Sequence, residues 1–397
     1  MSLHITDIVF KDFRSYERFE LHDVGRLVVL VGPNAVGKTN VVEGIQLMTA
    51  LASFRHATIE QMIRHGAPRA QLSLSVGDGN RALEIELSME DHTRRYQLNG
   101  KAKRPVDLRG LVPSVTFTPD DLDLVKGSMS VRRHTLDVLG SQLNANYHLI
   151  VRDYEKVIRH KNRLLKEEAS QALIDSINEM VITCGAQLCC YRAALFKKLK
   201  PHVEDRYRRI AAGRENLSVR YTPSWAVDSA SGSTAPDADP AGVARADEGV
   251  ARARRAAPCD FTREEAREHL ARALEERRAE EAARRRAVVG PHADALDFAI
   301  DGMPAGVYGS QGQQRSIVLA YKLAEAAVIE EMLDQKPVLL LDDVMSELDG
   351  ARRAALVEYI ASDVQTFVTT ANLAYFDEDM LAAAQVVELP LEGSRSV

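Results

Sequence analysis

Eight residues near the start of the chain, GPNAVGKT from Gly32 to Thr39, fit the pattern G-x-x-x-x-G-K-S/T at every fixed position. Each residue type in that pattern has a task in holding a nucleoside triphosphate. Glycines let backbone N–H groups turn inward around phosphate oxygens. A helix start behind them adds partial positive charge. Lys38 reaches the β- and γ-phosphates, and the Thr39 hydroxyl is a ligand for Mg²⁺. The expected nucleotide contacts are therefore Gly32, Pro33, Asn34, Ala35, Val36, Gly37, Lys38, Thr39 and Asn40. A random chain of this length would match the pattern roughly one time in a hundred.

Such a cradle needs a carboxylate at the end of a neighbouring strand to complete the Mg²⁺ shell. PVLLLDDV supplies two: the apolar run Val338–Leu341 ends on Asp342 and Asp343. Ligands of open α/β sheets bind at that end of the strands. Asp342 is the expected Mg²⁺ ligand, through water, and Asp343 the group that orients or deprotonates the attacking water. A lone acid there would read as a turn residue. Two adjacent acids, in a chain with a phosphate cradle, read as chemistry.

A third stretch, VYGSQGQQRS from Val307 to Ser316, is polar, flexible and set in front of a helical pattern over Ile317–Glu331. Ser310 and Gly312 offer a hydroxyl and backbone N–H groups, and Gln313 adds an amide, so this is a second anion-binding helix start. One nucleotide does not need two cradles from the same chain. A nucleotide shared between two copies does, with Ser310 and Gln313 acting on the γ-phosphate held by the other copy.

These residues need elements to hold them. RLVVLV before the cradle is a β-branched run typical of a strand buried on both faces, and a helix is expected over Lys38–Leu51. LHITDIVFKDF alternates like a half-buried strand, and residues 71–98 read as strands around the turn GDGN. SVTFTP is a further buried strand closed by Pro119. From about Ser130 to Ala212 the spacing turns helical. Residues 222–258, rich in Ala, Pro, Asp, Ser and Gly, cannot bury enough apolar area to offset their ordering entropy and read as a disordered insert. A charged helix follows, then a short hairpin at LDFAIDGMPAG, a helix over Gly350–Ala361 and the strand QTFVTT. The expected fold class is α/β: a P-loop head built from both termini, residues 1–129 and 287–397, with a mostly helical arm, residues 130–286, inserted between them.

Composition agrees with a globular protein of two or three domains: 397 residues, 45% hydrophobic and 27% charged. No apolar run reaches bilayer length, and MSLHITDIVF lacks the layout of a signal peptide. Cys184, Cys189, Cys190 and Cys259 show no zinc spacing or disulfide framework, so a reduced, cytoplasmic setting is expected. The net charge of −6 does not favour nucleic acid on average. Local basic stripes still can. Arg152, Lys156, Arg159, Arg163 and Lys166 recur at helical spacing, with Asp153, Glu155, Glu167 and Glu168 expected to point elsewhere. Phosphate contacts from this face would be salt-dependent and indifferent to base sequence. A weaker set is Lys197, Lys198, Lys200, Arg206, Arg208 and Arg209. In the hairpin, Arg94, Arg95, Lys101, Lys103 and Arg104 read mainly as solvated surface.

Taken together these motifs resemble a known family. SQGQ resembles the Ser-Gly-Gly-Gln signature of ABC-type ATPases, and SELD, Ser346 to Asp349, resembles their D-loop. The whole set resembles the SMC-like branch and, within it, the RecF family of recombination mediators. DFRSYE, GPNAVGKTNVVEGI, SFR, FTPDDLDLVKGSMSVRR, HKNRLLK, GPHADALDFAIDG, YGSQGQQRS and LLLDDVMSELD carry the likeness over nearly the full chain. The resemblance implies an ABC/SMC-type ATPase head, with Arg14 and Asp349 near the nucleotide and Ser310, Gly312 and Gln313 acting across a dimer. It implies ATP and Mg²⁺ as cofactors, an ATP-dependent homodimer on DNA, slow hydrolysis, and action with RecR and RecO to load RecA at gaps and support the SOS response. Three departures stand out. Gln311 replaces the usual second glycine of the signature. Asp343 replaces a glutamate, one methylene longer, which predicts weak hydrolysis. TFVTTAN offers Thr369, Thr370 and Asn372 where a histidine is usual, with Thr370 the expected γ-phosphate contact. A transporter-driving ABC subunit and a small-molecule P-loop kinase are the competing classes. DNA binding separates the first, and indifference to loss of the loop at 308–316 the second.

Overall fold

The computed structural model describes residues 3–226 and 260–390. Most of the expected insert, residues 227–258, and Cys259 lie outside the described residues. The chain divides into two compact units, with boundaries at Asp121/Leu122 and Tyr321/Lys322.

The first unit takes the two ends of the chain. Its five-stranded sheet has the order Gln385–Glu388, Leu27–Val31, Thr366–Thr370, Val338–Asp342, Ser114–Phe117, with every neighbouring pair parallel. Its central strands are the continuous apolar runs of the sequence. Val28, Val29, Leu30, Leu339, Leu340, Leu341, Phe367 and Val368 are all fully buried. A sheet covered on both faces demands that pattern. A six-stranded antiparallel sheet has the order Tyr16–Leu21, His4–Phe13, Ala70–Gly77, Ala82–Glu90, Thr93–Leu98, Lys101–Lys103. The hairpin of the last two strands turns on Asn99 and Gly100, both with positive φ (50° and 70°), as a two-residue Asn-Gly turn requires.

The helix Lys38–Thr49 packs on strands of both sheets. Its approach is close because position 44 has no side chain: a Cβ on Gly44 would stand 2.5 Å from the Phe10 ring. Gln365 ties the sheets together. Its amide oxygen accepts from the Ile5 N–H at 2.7 Å, and its amide nitrogen donates to the Ile5 and Gly25 carbonyls at 2.8 and 3.1 Å. A buried amide with each group matched costs little, whereas an unmatched one costs 1–3 kcal/mol as an order of magnitude, about the size of a core contact.

The second unit is mostly helical: Met129–Leu143, Ala145–Lys166, Gln171–Ile210 and Arg263–Glu276. The 40-residue helix Gln171–Ile210 contains Pro201 and continues through it. At 1.5 Å per residue it is about 60 Å long. A three-stranded antiparallel sheet, Met303–Pro304, Ala295–Ile300 and Leu217–Thr222, belongs to the same unit. So the expected hairpin exists but takes a third strand from just after the long helix. Its core is polar. Arg192, almost fully buried, bonds Asp137 at 2.7 and 2.9 Å and lies 3.2 Å from Asp294. Asp294 also accepts from the Tyr221 hydroxyl at 2.5 Å and the Ser224 N–H at 2.9 Å. The expected single charged helix after the insert breaks at Arg277 into Arg263–Glu276 and Arg278–Arg284.

Candidate active site

The strand order sets the site. Leu27–Val31 delivers the phosphate-binding loop, Val338–Asp342 delivers the acids, and Thr366–Thr370 lies between them, with Thr370 level with Val31 and Thr369 level with Asp342. All three strands end on the same edge because they are parallel.

Gly37 has φ 107°, and a Cβ there would come within 2.8 Å of the Tyr16 hydroxyl. Only glycine adopts that geometry without strain. Ala35 holds a left-handed φ of 67° while carrying a side chain, a local cost of order 1 kcal/mol. The Lys38 ammonium donates to the Gly32 and Pro33 carbonyls at 2.5 and 2.9 Å, which closes the loop into a ring. Burial lowers the Lys38 pKa, and Asp343 and Asp342 oppose that shift.

Thr39 and Asp342 meet: the Thr39 hydroxyl donates to Asp342 Oδ1 at 2.9 Å. The Thr369 hydroxyl donates to the same oxygen at 2.8 Å and accepts from the Asp343 N–H at 2.9 Å. Burial raises the Asp342 pKa, and the two threonine hydrogen bonds pull it back. A hydroxyl and a carboxylate converging behind a phosphate loop is the oxygen-only donor set that Mg²⁺ selects when phosphates supply the rest. Asp343 sits beyond the strand in a left-handed turn, φ 54°. Its carbonyl accepts from Ser346 Oγ at 2.9 Å. Asp349 caps the helix Gly350–Ile360, accepting from the Arg352 N–H at 3.0 Å and pairing with the Arg352 guanidinium. Thr370 is fully buried, and its hydroxyl donates to the Asn372 carbonyl at 2.9 Å.

Arg14 is held by a residue that the sequence reading passed over. Fully buried Glu43, on the helix behind Thr39, accepts from Arg14 Nε at 2.8 Å and Nη2 at 2.7 Å, and from Ser53 Oγ at 2.6 Å. Arg55 lies 3.6 Å from Glu43 and donates to Asn40 Oδ1 at 2.9 Å. A cavity of about 380 Å³ beside the cradle is lined by Arg14, Ser15, Asn40, Arg55, Gln61 and His65 among others. The signal for Glu43 was present: an acid inside the apolar run VVEGIQLM must be buried, and a buried acid needs partners.

Ser310, Gly312 and Gln313 lie in the second unit, at the start of the helix Gln311–Leu333. The Ser310 N–H donates to Gln313 Oε1 at 2.7 Å and the Gln313 N–H to Ser310 Oγ at 3.2 Å, a reciprocal cap. Gln313 Nε2 donates to Glu215 Oε1 at 2.9 Å.

The basic stripe is exposed at all five positions, Arg152, Lys156, Arg159, Arg163 and Lys166, on Ala145–Lys166. Two of the acids expected to point away do not. Asp153 lies 3.4 Å from Arg152 and 3.9 Å from Lys156, and Glu155 lies 3.7 Å from Arg159. Long cationic side chains bend back over a helix turn to reach acids that helical projection sets aside. Glu168 pairs with Arg285. In the weaker set, Lys197 pairs with Asp260, Lys200 with Glu204, and Arg208 and Arg209 with Asp205. Among the described residues no helix is long and apolar enough to cross a membrane.

A parallel sheet that brings a phosphate loop, a Mg²⁺-type acid and an intervening threonine strand to one edge defines an α/β P-loop ATPase head. The family model described as RecF/RecN/SMC N terminal domain matches residues 4–388. A protein named DNA replication and repair protein RecF, from Synechococcus sp. (strain JA-3-3Ab), is 34% identical over 385 residues, covering 95% of this chain and 93% of that protein. A protein of the same name from Halalkalibacterium halodurans is 31% identical over 392 residues, covering 98% of each. Among solved structures, one described as the recombination mediator protein RecF-ATPrS in the RecFOR pathway aligns with a TM-score of 0.81 at 26% identity, over 95% of this chain and 94% of that one. The chain belongs to the RecF family, with the ABC/SMC-type head that its motifs predict.

Proposed function

We propose that this protein is an ATP-dependent DNA-binding protein of recombinational repair and replication-gap processing. It binds ATP on Gly32–Thr39, pairs with a second copy around two nucleotides, and holds duplex DNA or single/double-strand junctions by their phosphates. With RecR and RecO as partners it helps load RecA and supports the SOS response. Slow hydrolysis resets it, and it works in the cytoplasm. In this reading the head is the unit of residues 1–121 and 322–397, and the signature loop belongs with the mostly helical unit of residues 122–321.

The observation that carries the reading is the hydrogen bond from Thr39 to Asp342, in a chain of this family. Thr39 and Asp342 would hold Mg²⁺, which would supply charge neutralisation to the phosphates. Lys38 exchanges its two carbonyl partners for phosphate oxygens. Arg14, fixed by Glu43, sets a second cation beside Asn40. Asp343 orients the attacking water from a short side chain, so turnover is slow. Thr370 faces the γ-phosphate from the strand between. Ser310, Gly312 and Gln313 of the second copy complete the γ-phosphate shell, while Asp349 lies at the junction.

The test is solution mass by light scattering with Mg²⁺ and ATP, then with ADP, short duplex DNA being present in both. Doubling of mass with ATP alone is expected, together with its loss in Ser310→Arg while ATP is still bound. Constant mass in both nucleotide states would defeat the shared-nucleotide reading and leave a single-headed P-loop protein.

A further inference from the structure

Gln313 reaches past its own loop. Its amide Nε2 donates to Glu215 Oε1 at 2.9 Å, and the other oxygen of that carboxylate, Oε2, accepts from the Tyr207 hydroxyl at 2.7 Å. Tyr207 is fully buried in the last turn of the long helix Gln171–Ile210. That helix stops in a tight turn: Ala212 and Gly213 have φ of 51° and 70°, and the Gly213 N–H returns to the Arg208 carbonyl at 2.9 Å. Glu215 follows at once and leads into the strand Leu217–Thr222. The next residue is pinned too, the Asn216 N–H donating to Asp301 Oδ1 at 3.0 Å and the Asp301 N–H to the Asn216 carbonyl at 2.9 Å. The Glu215 carboxylate is therefore placed by backbone on both sides.

The chemistry of the contact fixes orientation. A carboxylate accepts only, so it must face the NH₂ end of the Gln313 amide, and the Gln313 oxygen is left toward the Ser310 N–H, where it is found. Without Glu215 the Ser310 N–H still faces the amide oxygen, but the NH₂ end loses its acceptor and the amide is held from one side only.

We propose that Glu215 is a positioning residue of the signature loop, which sets the Gln313 amide and ties it to the end of the long arm helix through Tyr207. The inference rests on the reading above, in which Gln313 acts on a nucleotide shared between two copies. The helix Ala145–Lys166 that carries the basic stripe packs along the same long helix. A shift of that helix along its axis thus moves Tyr207 and Glu215 and re-aims Gln313.

The experiment compares wild type, Glu215→Ala, Glu215→Gln and Tyr207→Phe in three measurements: binding of a fluorescent ATP analogue to the dilute protein, light-scattering mass with Mg²⁺ and ATP over a range of protein concentration, and thermal melting. Glu215→Ala is expected to need about tenfold more protein to dimerise, the effect of losing a hydrogen bond to a charged acceptor, with analogue binding unchanged. Glu215→Gln keeps one acceptor oxygen and is expected to recover most of the loss. Tyr207→Phe, which removes one hydroxyl outside the signature loop, is expected to weaken dimerisation about threefold. If Glu215→Ala or, where that variant melts early, Tyr207→Phe dimerises with ATP as wild type does, Glu215 does not position the loop and the inference falls alone. If wild type itself stays single with ATP, the shared-nucleotide reading falls and takes this inference with it.

Discussion

Thr39 and Asp342 stand 303 positions apart in sequence and 2.9 Å apart in space, the hydroxyl of one donating to the carboxylate of the other. Thr369 bonds the same carboxylate oxygen from the strand between. Three chain segments thus converge on one atom, and that atom is where the acid chemistry is expected.

Burial raises the pKa of Asp342, and its hydrogen bonds from Thr369 and Thr39 oppose that rise. An acid whose folded pKa is raised loses stability as pH climbs above its unfolded value, so at neutral pH the charge works against the fold. Asp342→Asn keeps both threonine contacts and removes the charge. It is expected to raise the melting temperature of the nucleotide-free protein by about 2–4 °C, the effect of ~1 kcal/mol in a domain of this size, while ATP hydrolysis falls at least about a hundredfold. Melting scans and phosphate release measure the two. A lower melting temperature would contradict the burial argument.

Glu325 gives a clearer pH signature. It is buried 3.6 Å from the Lys322 ammonium, which lies 3.0 Å from Asp121. Burial pushes Glu325 up to about 7; Lys322 opposes that rise and Asp121 adds to it. Stability from this group is full below its usual value of 4.5 and is lost as pH rises toward about 7. Glu325→Gln should melt like wild type in acid and pull ahead through the neutral range, by roughly 5 °C in mild alkali. Parallel melting curves across pH would refute it.

Gly37→Ala adds a Cβ 2.8 Å from the Tyr16 hydroxyl on a backbone with φ 107°. Strain of this kind costs about 1–3 kcal/mol. Urea denaturation should show that loss, and nucleotide affinity should fall with it because the same turn aims the backbone N–H groups. Full affinity in this variant would mean the turn is not part of the phosphate cradle.

On the basic stripe, Arg152, Lys156 and Arg159 have acids within 4 Å, whereas no ion pair is found for Arg163 and Lys166 among the described residues. Uncompensated cations release more counterions from DNA. Arg163→Ala with Lys166→Ala is expected to flatten the slope of log affinity against log salt by about 2, and the other three together by less than that. Fluorescence anisotropy with a short duplex at several salt concentrations decides it. Equal slopes for all variants would place DNA elsewhere.

The strands, the phosphate loop and the acid pair were legible because each is a local pattern: a continuous apolar run, a fixed spacing, a charge at a run's end. Thr369 as the bridge to Asp342 was not, since strand order is decided by packing and not by sequence proximity. Glu215 was missed for a related reason, as it is an ordinary acid until Gln313 arrives from a distant segment, whereas Glu43 carried a local sign in its place within an apolar run. Residues 287–321 were assigned by sequence to the terminal pieces, yet their strands pair with Leu217–Thr222, a long-range contact with no local trace. The stripe acids were misjudged because helical projection fixes where a Cβ lies and not how far a flexible arm bends.

The ring that Lys38 closes with Gly32 and Pro33 bears on how fast the protein can respond. A phosphate loop already folded around its own ammonium needs an exchange of the Lys38 partners, but no ordering of its backbone, when the ligand arrives. Capture of nucleotide should then run at an encounter-limited rate, nearly the same for di- and triphosphate. Discrimination between them would fall to the dissociation rate, and timing to whatever holds the γ-phosphate in place.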